Sequence, residues 1–256
     1  MKKDKIKYFK EMKKFDYKNY WKKRLKENIG NIKTVGTRSL SEKANEAIYF
    51  LIEQQYEKLL YELHISLENK NVLDAGAGIG MYIPFFLKKG ANVTAIDISD
   101  DAIKYIKSKF PQINCVTTCL EDMDKLFKPN QFYFVHCFDV LYHITDDVEW
   151  KRAIRNLATV SEKYIALHER FPSKRPVISC KHVKERSRWE TINELTKYGF
   201  IEIGSIPTTV IRRLLTYKIL GLFPNLYYKL DKFLLEKQQF RLLGGAFIKI
   251  FQKRIK

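Results

Sequence analysis

The chain has 256 residues, 45% hydrophobic, 14% aromatic and 30% charged, which supplies one substantial core and excludes wholesale disorder. Lys and Arg number 47 against 29 Asp and Glu, a formal charge of +18. The excess sits at both ends: residues 1–33 carry 13 basic against 4 acidic groups, residues 212–256 carry 11 against 2, and the middle is neutral. Two basic ends fit a footprint for nucleic acid, phospholipid or a phosphorylated substrate, or simple compositional drift in a lysine-rich chain. No apolar run approaches the roughly 18 residues of a membrane span, and no apolar stretch follows the charged start. Cys115, Cys119, Cys137 and Cys180 form no CxxC pair. The expectation is a soluble protein of a reducing cytoplasm.

In chain order, residues 5–28 predict a basic helix, 29–42 a loop, and 43–64 a helix with apolar residues at three- and four-residue steps. Short apolar runs then alternate with helical stretches, the signature of a parallel sheet with crossover helices. Strands are expected at 71–75, 92–97, 113–118, 132–137, 163–169, 201–206 and 245–253, with helices between them. Ser99 predicts a helix cap, and Asp146-x-x-Glu149 and Ser187-x-x-Glu190 predict capping boxes. Residues 207–244 are basic and apolar, too long for a hairpin turn, and read as a helical insertion.

The most informative segment is Val72-Leu73-Asp74-Ala75-Gly76-Ala77-Gly78-Ile79-Gly80. An apolar strand runs into a glycine turn and then a helix. Glycines permit the turn and close backbone approach, and helix-start N–H groups face the same spot. The pattern predicts a nucleotide-type cofactor site at a strand's carboxyl end. The dinucleotide fingerprint fails at Met81, and no Lys-Ser/Thr follows the loop, which removes the NAD and P-loop readings. Asp74 suits a ligand with a positive end, Asp97 can take both hydroxyls of a ribose, and Glu121-Asp122 can meet an adenine amino group.

With LDAGAGIG on the page, the sequence resembles the class I S-adenosylmethionine-dependent methyltransferases over roughly residues 70–206 and the last strand. The resemblance implies S-adenosylmethionine as cofactor. It places Asp74, Gly76, Ala77, Gly78 and Gly80 around the methionine moiety, Asp97 and Ile98 at the ribose, and Glu121 and Asp122 near the adenine. It also implies an α/β, Rossmann-like, seven-stranded, mostly parallel sheet whose last strand is antiparallel. Helices cover both faces, with an N-terminal helical lid and a helical insertion before the last strand. The expected divisions are 1–66 (lid), 67–206 (core), 207–243 (insertion) and 244–256 (final strand).

In this family the segment after the fourth strand, Phe138-Asp139-Val140-Leu141-Tyr142-His143, lines the cofactor and faces the acceptor. The Asn/Asp-Pro-Pro-Tyr/Phe of nucleobase amino-methyltransferases is absent, as is a Pro-Cys nucleophile. Transfer to oxygen needs a base for the hydroxyl proton, and histidine suits that task. His143 is the first candidate, with the His168-Glu169 pair at the fifth strand's end as the second. No histidine pair has metal-ligand spacing, so no metal is expected. Tyr20, Trp21 and Arg24, the GNIKTVG loop, DVLYHITDD and HVKERS resemble a narrower group of prokaryotic surface-glycan and secondary-metabolite methyltransferases. This implies Tyr20, Trp21, Arg24, Tyr142, His182 and Arg186 on the acceptor side, Arg186 pairing with an anionic acceptor. On this reading, deleting residues 1–40 leaves cofactor binding intact and abolishes transfer. The expected activity is O-methylation of a small-molecule or glycan hydroxyl. The alternatives are an RNA methyltransferase using the basic ends, or a cofactor-binding protein without catalysis. Residues 207–243 carry two readings, a lid or dimer contact and a peripheral contact with the inner membrane face.

Overall fold

The computed structural model describes residues 15–172, 175–210, 223–237 and 245–254. Helix α1 (Tyr17–Glu27) starts where the Asp16 side chain accepts from the Asn19 N–H; of the helix expected over 5–28, residues 5–14 lie outside the described residues. Helix α2 (Glu42–Glu62) is capped by Ser41, which accepts from the Ala44 N–H. Strand β1 (Asn71–Ala75) is followed by α3 (Ile83–Lys88), β2 (Asn92–Asp97), α4 (Asp100–Lys109), β3 (Asn114–Thr117) and β4 (Phe132–Phe138). Next come α5 (Asp147–Val160), β5 (Ser161–Glu169), β6 (Val177–Cys180), β7 (Val183–Glu185), α6 (Arg188–Thr196), β8 (Phe200–Thr209), α7 (Pro224–Glu236) and β9 (Ala246–Lys253).

Seven strands form one sheet in the order β3-β2-β1-β4-β5-β9-β8. The first five are parallel, and β9 runs antiparallel to both β5 and β8. This is the Rossmann-like architecture that the resemblance implied, with the parallel strands that the alternation predicted. Strand order reverses between β1 and β4, which opens a crevice at the carboxyl ends of the strands.

The two-residue period of the strands sorts the core into two layers. Val72, Phe134, Phe138, Ala166 and Ile250 face α2 and α3, where Leu51, Tyr56, Leu59 and Phe86 pack. Leu73, Val135, Cys137, Ile165 and Phe251 face α5, with Trp150, Ile154 and Leu157. Asp74 and His136 are register partners, so both fall on the α2 face.

Three details differ from the sequence reading. First, β6 and β7 form a separate hairpin that was not predicted. Second, β8 runs to Thr209, three residues into the segment read as insertion. Of that segment α7 is described, and residues 211–222 and 238–244 lie outside the description. Third, both expected capping boxes begin helices, but only Ser187–Glu190 closes reciprocally. Asp146 caps α5 alone, because Glu149 turns toward Lys18 of α1, 3.7 Å away.

Candidate active site

The crevice is a cavity of about 900 Å³, counting the part open to solvent. Its floor is the glycine turn. Gly76 (φ +86°) and Gly78 (φ +58°) occupy the left-handed region, which L side chains rarely adopt. A Cβ on Gly76 would stand 2.4 Å from Val140 Cγ2, and one on Gly78 2.7 Å from Val35 Cγ1. The turn is tied to β2 by the Gly76 and Ala77 N–H groups, which donate to the Ile96 carbonyl at 2.8 and 2.9 Å. Asp97, at the end of β2, accepts from the Gly78 and Ser99 N–H groups, both at 2.9 Å. Burial pushes its carboxyl up to about 6, against the lowering effect of these N–H groups.

Asp74 is buried beside the cavity, and one of its oxygens, Oδ2, has no hydrogen-bond partner among the described residues. Burial, with the Asp97 charge second, pushes its carboxyl up to about 7. His136 Nε2 stands 3.8 Å from Asp74 Oδ1. Burial holds His136 well below its ordinary value, so it is a neutral neighbour. The Tyr82 hydroxyl is likewise buried without a partner among the described residues. A buried carboxylate oxygen and a buried hydroxyl at one end of a glycine cradle call for a ligand with a cationic donor. The ammonium group of S-adenosylmethionine meets that need, so the residues fit the cofactor.

At the opposite end stands Glu121. Its Oε1 accepts from the Tyr17 hydroxyl of α1, and its Oε2 has no partner among the described residues. Burial and the Glu121 charge drive the Tyr17 hydroxyl far upward, so it remains a donor. Tyr17, Trp21 and Leu25 of α1, with Val35 of the following loop, line the cavity. The lid therefore touches the cofactor end, and the expectation that cofactor binding survives its deletion is revised.

Among the expected cofactor residues, Asp74, Gly76, Ala77, Gly78, Asp97, Ile98, Glu121, Phe138 and Asp139 all line the cavity. Gly80 does not; its φ of +79° begins the turn into α3 and packs near Ile83. Asp122 is also outside. It faces solvent, where Lys125 (2.7 Å) and Arg152 (3.4 Å) pair with it. The hydrogen bond from Lys125, then that from the Cys119 thiol, pulls it down to about 2. The two neighbours point oppositely from one 3₁₀ turn, Leu120–Lys125.

On the acceptor side, His143 lines the cavity. Its Nδ1 lies 2.8 Å from the His182 carbonyl, and a carbonyl can only accept, so Nδ1 carries the proton. That tautomer leaves Nε2 with its lone pair. Trp21 packs edge-on to the ring at 4.6 Å. Burial lowers the imidazole to about 3, so it stays neutral across the physiological range.

The second candidate pair sits behind the cavity wall. His168 Nδ1 meets Asp139 Oδ2 at 3.0 Å and Nε2 meets Thr208 Oγ1 at 2.9 Å, so both ring nitrogens are engaged. Glu169 Oε1 accepts from the Tyr142 N–H at 3.0 Å. Burial, then the Asp139 charge, raises its carboxyl to about 8. Neither lines the cavity; His168 supports Asp139 and Glu169 holds the Tyr142 backbone, while Asp139 itself lines the cavity with a left-handed backbone (φ +58°). Such a conformation in a non-glycine residue costs about 1 kcal/mol or more and marks a position held by its surroundings. Here the holders are the His168 carbonyl, which takes the Asp139 N–H at 3.0 Å, the His168 ring, and the Tyr142 hydroxyl at 3.2 Å.

Two arginines read as acceptor ligands are spent on backbone. Arg186 is fully buried; its guanidinium donates to the Thr145, Asp146 and Lys184 carbonyls and pairs with Asp147 at 2.9 Å. Arg24 donates to the Lys33 and Gly36 carbonyls at 3.2 and 2.7 Å and to the Tyr20 hydroxyl. It pins the loop after α1 against that helix. His182, in the β6–β7 turn, stacks on Tyr20 at 4.9 Å, so the hairpin and α1 meet over His143. Sequence reasoning missed Tyr17, Tyr49, Tyr82 and His136. His136 was hidden inside a strand that read as plain core.

Residues 72–163 match a family model described as a methyltransferase domain. A ubiquinone biosynthesis O-methyltransferase of Coxiella burnetii is 34% identical over 102 residues, 39% of this chain and 42% of that protein. The chain thus matches about two fifths of that relative's length. A magnesium protoporphyrin IX methyltransferase from Synechocystis, solved with bound S-adenosylmethionine, superposes with a TM-score of 0.56 at 19% identity, over 82% of this chain and 84% of that one. A putative sarcosine dimethylglycine methyltransferase from Galdieria sulphuraria gives 0.57 at 16% identity, over 77% and 84%. Below this level of identity, the two structures share the fold.

Proposed function

We propose that this chain, a member of the class I S-adenosylmethionine-dependent methyltransferases, methylates a hydroxyl of a small aromatic acceptor, with His143 as the base. The observation that carries the reading is the tautomer of His143. Its Nδ1 proton is committed to the His182 carbonyl, and its Nε2 is left at an aromatic cavity wall. The curated relatives support transfer to oxygen by name. The lining of Trp21, Tyr49, Met81 and Tyr82 favours a flat aromatic hydroxyl over the glycan that the sequence also left open.

Bound S-adenosylmethionine supplies an electrophilic methyl group on a sulfonium. Asp74 and Tyr82 would hold its amino-acid end, Asp97 its ribose and Glu121 its adenine. Asp139, fixed by His168 and Tyr142, lines the same cavity as the glycine turn and His143. His143 accepts the acceptor's hydroxyl proton at Nε2 as the oxygen loses electron density to the new bond. Burial keeps Nε2 unprotonated at neutral pH, and the low pKa makes it a weak base that takes the proton only as the acceptor oxygen commits its electrons to the new bond. Trp21 and the β6–β7 turn exclude water above it.

The test is a panel of mono- and dihydroxybenzoid acceptors with S-adenosylmethionine, comparing the wild type with His143→Ala. The expected result is transfer to oxygen with kcat reduced about 10²- to 10⁴-fold and cofactor affinity within about twofold. Unchanged kcat in His143→Ala would remove the histidine from the mechanism, and methylation of RNA in preference to the panel would overturn the acceptor class.

A further inference from the structure

Helix α7 has two apolar sides. Inward, Leu235 is buried, Tyr228 donates to Gln54 of α2 at 3.3 Å, and Asp231 accepts the Val210 N–H at 2.6 Å. Outward, Leu226, Leu230 and Phe233 recur at three- and four-residue steps, which places them on one side. With Phe223 before the helix they are 54%, 43%, 55% and 60% exposed. A 13-residue helix anchored to the body has no folding reason to display four large apolar side chains to water.

Charge accompanies the stripe. Lys229, Lys232 and Lys237 are exposed on the same helix, against Glu236. The surrounding segment, residues 212–256, has 11 basic and 2 acidic residues. The inner side of α7 packs on α2 close to the cavity. Phe50 of α2, 52% exposed, packs 5.8 Å from the Tyr228 ring, and the next residue back, Tyr49, lines the cavity. No described helix is long and apolar enough to cross a membrane.

We propose that α7 and Phe50 seat the protein on an anionic phospholipid surface. Phe223, Leu226, Leu230 and Phe233 enter the acyl boundary and the lysines meet the headgroups, which brings the Tyr49 side of the cavity to the lipid. An exposed apolar stripe with flanking lysines is the pattern of interfacial helices, whose binding adds apolar burial to headgroup attraction. This placement is independent of which acceptor is methylated.

The test is co-sedimentation with vesicles of phosphatidylglycerol and phosphatidylcholine, or of phosphatidylcholine alone. Two double variants of the full chain are compared, Leu226→Ser/Phe233→Ser and Lys229→Glu/Lys232→Glu. All four side chains are exposed, so both variants keep the fold, checked by circular dichroism. The wild type is expected to sediment with the anionic vesicles and not the neutral ones, and each variant to lose about tenfold or more in partitioning. Three results would overturn the proposal: no wild-type binding, binding that the serine variant leaves unchanged, or a concentration-dependent mass abolished by that variant without any vesicle binding. The last would make the stripe a contact between two copies of the chain.

Discussion

Replacing Asp74 with Asn separates what the carboxylate does for the fold from what it does for the ligand. The buried acid is raised from an ordinary 3.8 to about 7. Each pH unit of that gap is worth about 1.4 kcal/mol of preference for the neutral acid. Ionising it without ligand therefore costs the folded chain about 4 kcal/mol at neutral pH. An acid that binds its proton more tightly when folded makes stability fall as pH rises from about 4 to about 7, and the loss levels off above that. Asp74→Asn removes this burden but buries an amide N–H₂ in its place, an offset of about 1–3 kcal/mol. The ligand-free variant should gain about 1–3 kcal/mol at pH 8 relative to the wild type and nothing, or a small loss, at pH 4.5. Cofactor binding should weaken by about tenfold or more at pH 8, because the counter-charge for the amino group is gone. Urea denaturation at the two pH values, with and without S-adenosylhomocysteine, reads both effects. Equal destabilisation by the variant at pH 4.5 and pH 8 would refute the buried, ligand-seeking carboxylate.

In the same way, wild-type affinity for the cofactor should rise through pH 6–8 as Asp74 and Asp97 ionise, and calorimetry across that range should find in Asp74→Asn only the shallower slope, at lower pH, that Asp97 leaves. Gly76→Ala drives a methyl to 2.4 Å from Val140 at a φ of +86°. It should abolish cofactor binding, and Val140→Ala in the same chain should restore it only in part, because the backbone strain remains. Tyr17→Phe leaves Glu121 buried without its donor, so cofactor KM should rise about three- to tenfold while kcat holds; an unchanged KM would detach α1 from the cofactor end. Arg186→Ala should lower stability by about 2–4 kcal/mol, through the lost hydrogen bonds to the Thr145, Asp146 and Lys184 carbonyls and the lost pairing with Asp147. Folded Arg186→Ala protein with a raised acceptor KM would return the arginine to the acceptor site.

What could be read from the sequence was local. The glycine turn, Asp74, Asp97 and the caps at Ser99 and Ser187 each follow from residues within a few positions of one another. The alternation of apolar runs and helical stretches is equally local, and it sufficed for the sheet. The misassigned residues are those whose partners are distant in the chain. Arg186 looked available because its acceptors, at 145–147, are about forty positions away. Tyr17 and Glu121 are 104 apart. Asp122 and Glu121 are neighbours that only the roll of a 3₁₀ turn separates. The β6–β7 hairpin escaped because its strands have four and three residues and no alternating pattern to announce them.

The position of β9 bears on how the protein is made. It is the last described strand in chain order, yet it lies inside the sheet, hydrogen-bonded to β5 on one side and β8 on the other. During synthesis β5 and β8 emerge with no partner for their facing edges, and the sheet stays in two pieces until residues 246–253 leave the ribosome. Unpaired edges of this kind recruit strands from other chains. A premature stop between β8 and β9 would therefore leave the facing edges of β5 and β8 open.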